Sequence, residues 1–184
     1  MKHFIKLSFL VIITVLFSSC NQTKVLNRHI KTESGERILT GEFEQKTLKE
    51  KYYSSWYDPE YNDYEVEEAK LKDIKKDIKK YKIEVFVGTW CSDSQRELPR
   101  LYKILEAMKF PTEARMKVYG VNRNKKSFYG EEIGKDISHV PTIIFYLKGK
   151  EVGRIVESPV SGYLEEDIAM IIKGTPLTPN YAED

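Results

Sequence analysis

The run Val85-Phe86-Val87-Gly88-Thr89-Trp90-Cys91 passes from a β-branched and aromatic stretch straight into a polar turn, which fixes what must follow. Lys82 to Gly88 (KIEVFVG) has the composition of a buried strand. Ser92 opens a helical pattern that extends to about Met108, with Pro99 inside it, where a kink is expected. A strand that enters a helix at a cysteine brings the thiol to the free amide N–H groups and positive dipole end of that helix. Both favour thiolate over thiol. The competing reading is a buried structural cysteine. The polar Ser92-Asp93-Ser94 behind it argues for exposure, and Trp90 can shield one side of the sulfur while leaving another open.

The rest of the chain supplies elements to surround that unit. Asp63 to Lys80 is predicted as a helix, because Glu67, Leu71, Ile74, Ile78 and Tyr81 follow helical spacing. Its lysines and acids, including Asp73 with Asp77 and Lys75 with Lys79, read as a solvated face. Met116 to Val121 is the next strand, followed by a polar loop and a helix near Phe128 to Lys135. Thr142 to Leu147 and Glu151 to Glu157 are two strands joined by Lys148-Gly149-Lys150, a hairpin signal. A last helix opens at Ser161 or Gly162 and buries Leu164, Ile168, Ile171 and Ile172, before Gly174, Pro176 and Pro179 end it. Helical connections favour parallel neighbours and the hairpin adds an antiparallel edge. The expectation is an α/β fold, a mixed sheet covered on both faces.

Ahead of this core, Asn21 to about Gly35 is polar and aperiodic, and reads as a tether. Ile38 to Phe43 suits a short strand. A brief helix is expected from Thr47 to Tyr53, stopping before Asp58-Pro59. Six aromatics crowd the stretch from Tyr52 to Tyr64 (Tyr52, Tyr53, Trp56, Tyr57, Tyr61, Tyr64). They suit either a partner surface or a wedge against the main domain, and the wedge is the commoner use. At 184 residues the chain accommodates one domain with appendages. The expected divisions are 1–19, 20–45, 46–63, 64–176 and 177–184.

The other cysteine, Cys20, belongs to an export signal. Lys2 and Lys6 precede an apolar run from Phe9 to Phe17, too short to span a membrane, and Ser18-Ser19-Cys20 closes it. The end of this segment resembles the lipobox of bacterial lipoproteins, which implies a signal over 1–19 and lipid attachment at Cys20. The alternative is an ordinary signal peptide cut nearby, with Cys20 incidental. A lipidated Cys20 would tether the protein to a bacterial envelope membrane, outside the cytoplasm and facing the periplasm. Removing residues 1–19 takes two of the 30 basic residues and none of the 28 acids, so the mature chain carries no net charge. No general attraction to membrane or nucleic acid follows from that balance, and a nucleic-acid partner is not expected.

Three spaced pieces then resemble the thioredoxin superfamily: Trp90-Cys91-Ser92-Asp93-Ser94, Pro99 eight residues after the cysteine, and Val140-Pro141-Thr142 fifty residues after it. Glu97 and Pro99 also match the membrane-tethered, extracytoplasmic branch. The resemblance covers roughly 64–174. It implies a thioredoxin-like fold, a mixed central sheet flanked by helices, here with an N-terminal helical extension. It also implies that Pro141 is cis and that its loop packs against the Cys91 sulfur. Two positions depart from the family. Ser94 stands where the second cysteine of Cys-x-x-Cys belongs, so internal release of a mixed disulfide is lost. Val85 stands where thioredoxins bury an acid that shuttles protons.

Cys91, Ser94 and Glu97 are therefore the candidate catalytic residues, and Trp90, Val140 and Pro141 the candidate partner-binding ones. Ser94 can donate to the Cys91 thiolate, whereas the charge of Asp93 opposes ionisation. Glu97 has two open roles, replacement proton shuttle or an acid favoured by the helix dipole. His139, two residues before Pro141, can approach Cys91, though a solvent-facing loop histidine is the commoner outcome. No metal-ligand spacing and no cofactor motif is present, and none is expected. The expected function is monothiol thiol–disulfide exchange on protein thiols or low-molecular-weight thiols, completed by an external reducing thiol. The alternative is a redox-inactive peptide- or protein-binding module. A glutaredoxin-like carrier is disfavoured, because Cys91-Ser92-Asp93-Ser94 lacks the Gly-Phe pair of its monothiol members.

Overall fold

A computed structural model describes residues 24–182, so the signal over 1–19 and Cys20 lie outside the described residues. Strands β1 (His29–Lys31) and β2 (Arg37–Leu39) form an antiparallel hairpin. There follow β3 (Gly41–Phe43), helix α1 (Lys51–Asp63), the single turn α2 (Glu68–Leu71), β4 (Tyr81–Val87) and α3 (Ser92–Ala107). The chain continues through the single turn α4 (Thr112–Arg115), β5 (Met116–Gly120), β6 (Thr142–Leu147), β7 (Lys150–Val156) and α5 (Leu164–Ile172). Five strands make one mixed sheet in the order β3-β5-β4-β6-β7. Only β4 and β5 run parallel, joined across α3; β6, β7 and β3 each pair antiparallel with their neighbours. Lys148 and Gly149, at φ 52° and 83°, make the two-residue turn between β6 and β7. This is the mixed central sheet flanked by helices that the resemblance implies.

Side chains alternate along a strand, so each strand divides its residues between two faces. Ile83, Val85 and Val87 of β4 point to one face, with Ile143 and Phe145 of β6. There the buried residues of α1, α3 and α5 join Leu71, Ile74 and Ile78 in one continuous core. Phe86, Tyr119 and Ile144 point the other way, into a small cluster with Val121 and Val140. Trp90, Cys91, Ile137 and Tyr146 pack against that cluster. No helix contributes to it; its cover is the connection from 121 to 141.

Several local expectations are corrected. The segment expected as a tether, Asn21 to about Gly35, carries β1, which pairs with β2; Ile38 and Leu39, inside the stretch expected as a strand, are buried at 1% and 0% exposure. Leu39 N–H donates to Thr89 Oγ at 3.2 Å, and Gly120 allows the approach, since a Cβ there would meet Leu39 O at 2.4 Å. Ile38 to Phe43 is two strands broken at Thr40, not one. Helix α1 runs through Pro59 to Asp63, because Tyr53 and Tyr57, one turn apart, are both buried in the core. The helix expected over Asp63 to Lys80 is instead α2 followed by 3₁₀ turns at Lys72–Ile74 and Ile78–Lys80. Leu71, Ile74 and Ile78 are buried as expected; their spacing of three and four fits successive tight turns equally well. No helix forms at Phe128 to Lys135, where Gly130 and Gly134 take φ of 75° and 74°. The Glu132 carboxylate there accepts both the N–H and the hydroxyl of Ser127, and so fixes a series of turns.

The aromatic lead-in is structural. Tyr64 OH donates to both oxygens of the fully buried Glu165, at 2.9 and 2.8 Å, and Glu67 N–H donates to the same carboxylate at 3.0 Å. Tyr52 is the exception, 62% exposed. Among the described residues no helix is long and apolar enough to cross a membrane.

Candidate active site

Cys91 is the residue immediately before α3, and its side chain is half-buried. Its N–H donates to Gly88 O at 2.9 Å, which closes the turn between strand and helix. Gly88 is needed there: a Cβ would sit 2.5 Å from Trp90 Cε2. The Trp90 indole lies against the turn, and its Nε1–H donates to Val121 O at 2.9 Å. The Arg123 guanidinium stands 4.9 Å from the Trp90 ring centroid and pairs with Glu36 at 3.0 Å, tying the N-terminal segment to the site. Gln95 Nε2 donates to Thr89 O at 2.8 Å and braces the first helical turn.

Across from the turn, the Val140–Pro141 peptide bond is cis, as the resemblance implies. The Cys91 thiol donates to Val140 O at 3.3 Å, so sulfur and proline loop touch. Asp93 Oδ2 is 4.0 Å from the sulfur, and the Asp93 carboxylate is held by Arg96 at 2.8 Å. Cys91, Trp90, Val140 and Pro141 are thus brought together, and Cys91 is the only cysteine among the described residues.

Three other candidates sit elsewhere or act differently. Ser94 is 2% exposed, and its Oγ accepts the Gly88 N–H at 3.2 Å. The expected hydrogen bond from Ser94 to the sulfur is absent among the described residues; Ser94 fastens the turn. Glu97 is 3% exposed. It pairs with Arg96 at 2.6 Å and, with Tyr64, Arg100 and Tyr163, lines a cavity of about 360 Å³. Burial pushes its carboxyl above the usual carboxylate range, against the lowering pull of Arg96. The hydrogen-bond partner of Glu97 among the described residues is Arg96, not the Cys91 sulfur. The sequence held the signal: Glu97 shares a helical stripe with Ser94, Leu98 and Leu101, all buried. His139 forms no pair with Cys91 either. Its ring stacks on Tyr181, 3.8 Å between centroids and 6° between planes, and Nδ1 meets Ser138 Oγ at 3.1 Å.

Sequence reasoning missed the C-terminal return. Asn180 Nδ2 donates to Val156 O at 3.2 Å and Ser158 O at 3.0 Å, and Tyr181 follows it onto His139. No periodicity marks these residues, and Pro176 and Pro179 read only as a helix stop. The tail thereby lies beside the proline loop, where Glu157 N–H donates to Pro141 O at 2.7 Å.

No family model matches the chain, and no curated protein matches it. Among solved structures it is similar to the oxidised mitochondrial thioredoxin 3 of Saccharomyces cerevisiae, with 20% identity and a TM-score of 0.31. That likeness covers 50% of this chain and 82% of the yeast one. A thioredoxin of Malassezia sympodialis is similar at 19% identity and a TM-score of 0.33, over 56% of this chain and 84% of that one. At these scores neither structure lends this chain an activity.

Proposed function

We propose that this chain is a thioredoxin-like protein that exchanges disulfides through a single thiol, Cys91. The observation that carries the reading is the 3.3 Å contact between Cys91 Sγ and Val140 O across the Pro141 loop, at the start of α3. The Cys91 thiolate attacks one sulfur of a partner disulfide, forming a Cys91 mixed disulfide and releasing the other sulfur as a thiolate. An external thiolate then attacks the mixed disulfide, frees Cys91 and leaves as a new disulfide with the partner sulfur. The external thiol is required because Ser94 replaces the second cysteine. Trp90, Val140 and Pro141 supply the surface that a partner thiol or peptide meets. In this reading residues 1–19 are removed, Cys20 carries lipid and the domain stands outside the cytoplasm at a bacterial envelope membrane.

Mass spectrometry of the protein isolated from its own envelope tests both cysteines together. The expected result is acyl chains on Cys20 and a thiol-reducible adduct on Cys91. An unmodified Cys91 whose partners are captured equally by Cys91→Ser would overturn the exchange reading. It would leave the rival, a redox-inactive binding module, which Val85 supports by standing fully buried where an acid would serve exchange.

A further inference from the structure

The mature chain has no net charge, yet its charges are segregated. Residues 70–82 hold seven lysines and two aspartates. Leu71, Ile74, Ile78 and Tyr81 turn inward, which leaves Lys72, Lys76, Lys79, Lys80 and Lys82 exposed. The register of β4 against β6 puts Tyr81 opposite Leu147 and Lys82 opposite Tyr146, so the exposed hairpin lysines Lys148 and Lys150 lie at the same end. Arg115 joins them, donating to Lys80 O at 3.4 Å. The local acids do not neutralise this pole. Asp77 pairs with Lys80 at 2.5 Å and Asp73 with Lys173 at 3.7 Å. Lys72, Lys75, Lys76, Lys79, Lys82, Lys148 and Lys150 have no ion-pair partner among the described residues. Elsewhere Arg96, Arg100, Lys117, Lys135 and Arg154 are paired, while others such as Lys49, Lys109 and Lys125 have no ion pair among the described residues.

The pole lies at the opposite end of β4 from the thiol. Six strand steps separate Tyr81 from Val87, about 20 Å at roughly 3.3 Å per residue, and Cys91 lies beyond Val87. None of the large exposed apolar side chains lies among these lysines, and the main cavities open elsewhere. A broad, ungrooved surface of compact ammonium charges, without aromatic platforms, fits lipid headgroups better than nucleic-acid bases or a peptide.

We propose that this lysine pole rests on an anionic lipid surface and holds Cys91 on the side facing away from it. The full chain is reconstituted on vesicles of phosphatidylcholine alone or mixed with phosphatidylglycerol, and the acetylation rate of each lysine is read by mass spectrometry. Lys72, Lys76, Lys79, Lys148 and Lys150 should acetylate about fivefold more slowly on the anionic vesicles, with Lys46 and Lys51 unchanged and the difference erased by high salt. The triple variant Lys76→Glu, Lys79→Glu, Lys148→Glu should abolish the protection of Lys72 and Lys150. Equal rates on the two vesicles would overturn the proposal. Protection by soluble polyglutamate but not by anionic vesicles would also overturn it, assigning the pole to an acidic protein. The Cys91→Ser chain must give the same footprint, which separates this outcome from any failure of the thiol chemistry.

Discussion

The two faces of the sheet are closed by different means. On one, α1, α3 and α5 bury Ile143, Phe145 and Val85 in a core of close-packed side chains. On the other, a handful of residues around Phe86, Tyr119 and Ile144 is covered by the connection from 121 to 141, and Cys91 and Trp90 rest on that thinner cluster. The close-packed core and the Cys91 thiol thus lie on opposite faces of one strand pair. A close-packed helical core cannot open to admit a partner. Cover supplied by a connection can give way at lower cost than a packed helical layer.

The contrast is sharpest at adjacent residues of β6. Ile143→Ala, on the helical face, should cost about 4 kcal/mol, and Ile144→Ala, on the loop face, about 2 kcal/mol, because the loop can settle into the cavity. Urea unfolding of the two variants measures this directly, and equal losses would break the comparison. The helical face depends also on its polar anchor. Glu165→Ala should cost about 1–3 kcal/mol by leaving Tyr64 OH and Glu67 N–H without their acceptor, and should free the lead-in to proteolysis before the sheet unfolds.

On the loop face, Gly88→Ala should cost about 1–2 kcal/mol, since the new Cβ would displace the indole of Trp90. Its signature is a shifted tryptophan fluorescence spectrum together with an altered Cys91 alkylation rate. Wild-type values for both would mean that Trp90 does not shape the site. The smallest effect is in pH. Burial raises the Glu97 carboxyl above its ordinary value of 4.5 in the folded state. Below 4.5 both states hold the proton and this contribution is fully present. As pH rises the unfolded chain ionises first, so stability falls through a window that opens near 4.5 and closes above the folded value. Urea midpoints between pH 4 and pH 7 should lose that slope in Glu97→Gln; an unchanged slope would place its origin in other groups.

What was legible in the sequence follows the same division. β4, α3, β5, the β6–β7 hairpin and α5 carry strong alternation or helical stripes, because each must bury one face against the large core. The Cys91 turn and Pro141 were legible as spaced motifs, and the structure brings them into contact. The 121–141 cover was misread at Phe128 to Lys135, where bonds from Ser127 to Glu132 and two left-handed glycines outweigh a helical pattern. The N-terminal hairpin and the C-terminal return were missed because they dock through scattered contacts, among them Leu39 on Thr89, Arg123 on Glu36, Asn180 on Val156 and Tyr181 on His139, that impose no period. Motif spacing leaves both roles of Glu97 open, whereas its helical stripe places it with the buried residues of α3.

The most direct measurement is the reaction of the full chain with a small disulfide at neutral pH, followed by intact-mass spectrometry and compared with free cysteine. Exchange through Cys91 predicts a mixed disulfide that forms about tenfold or more faster than on free cysteine, is absent in Cys91→Ser, and persists until an external thiol is added. A rate no greater than that of free cysteine, or an adduct that clears without added thiol, would contradict it.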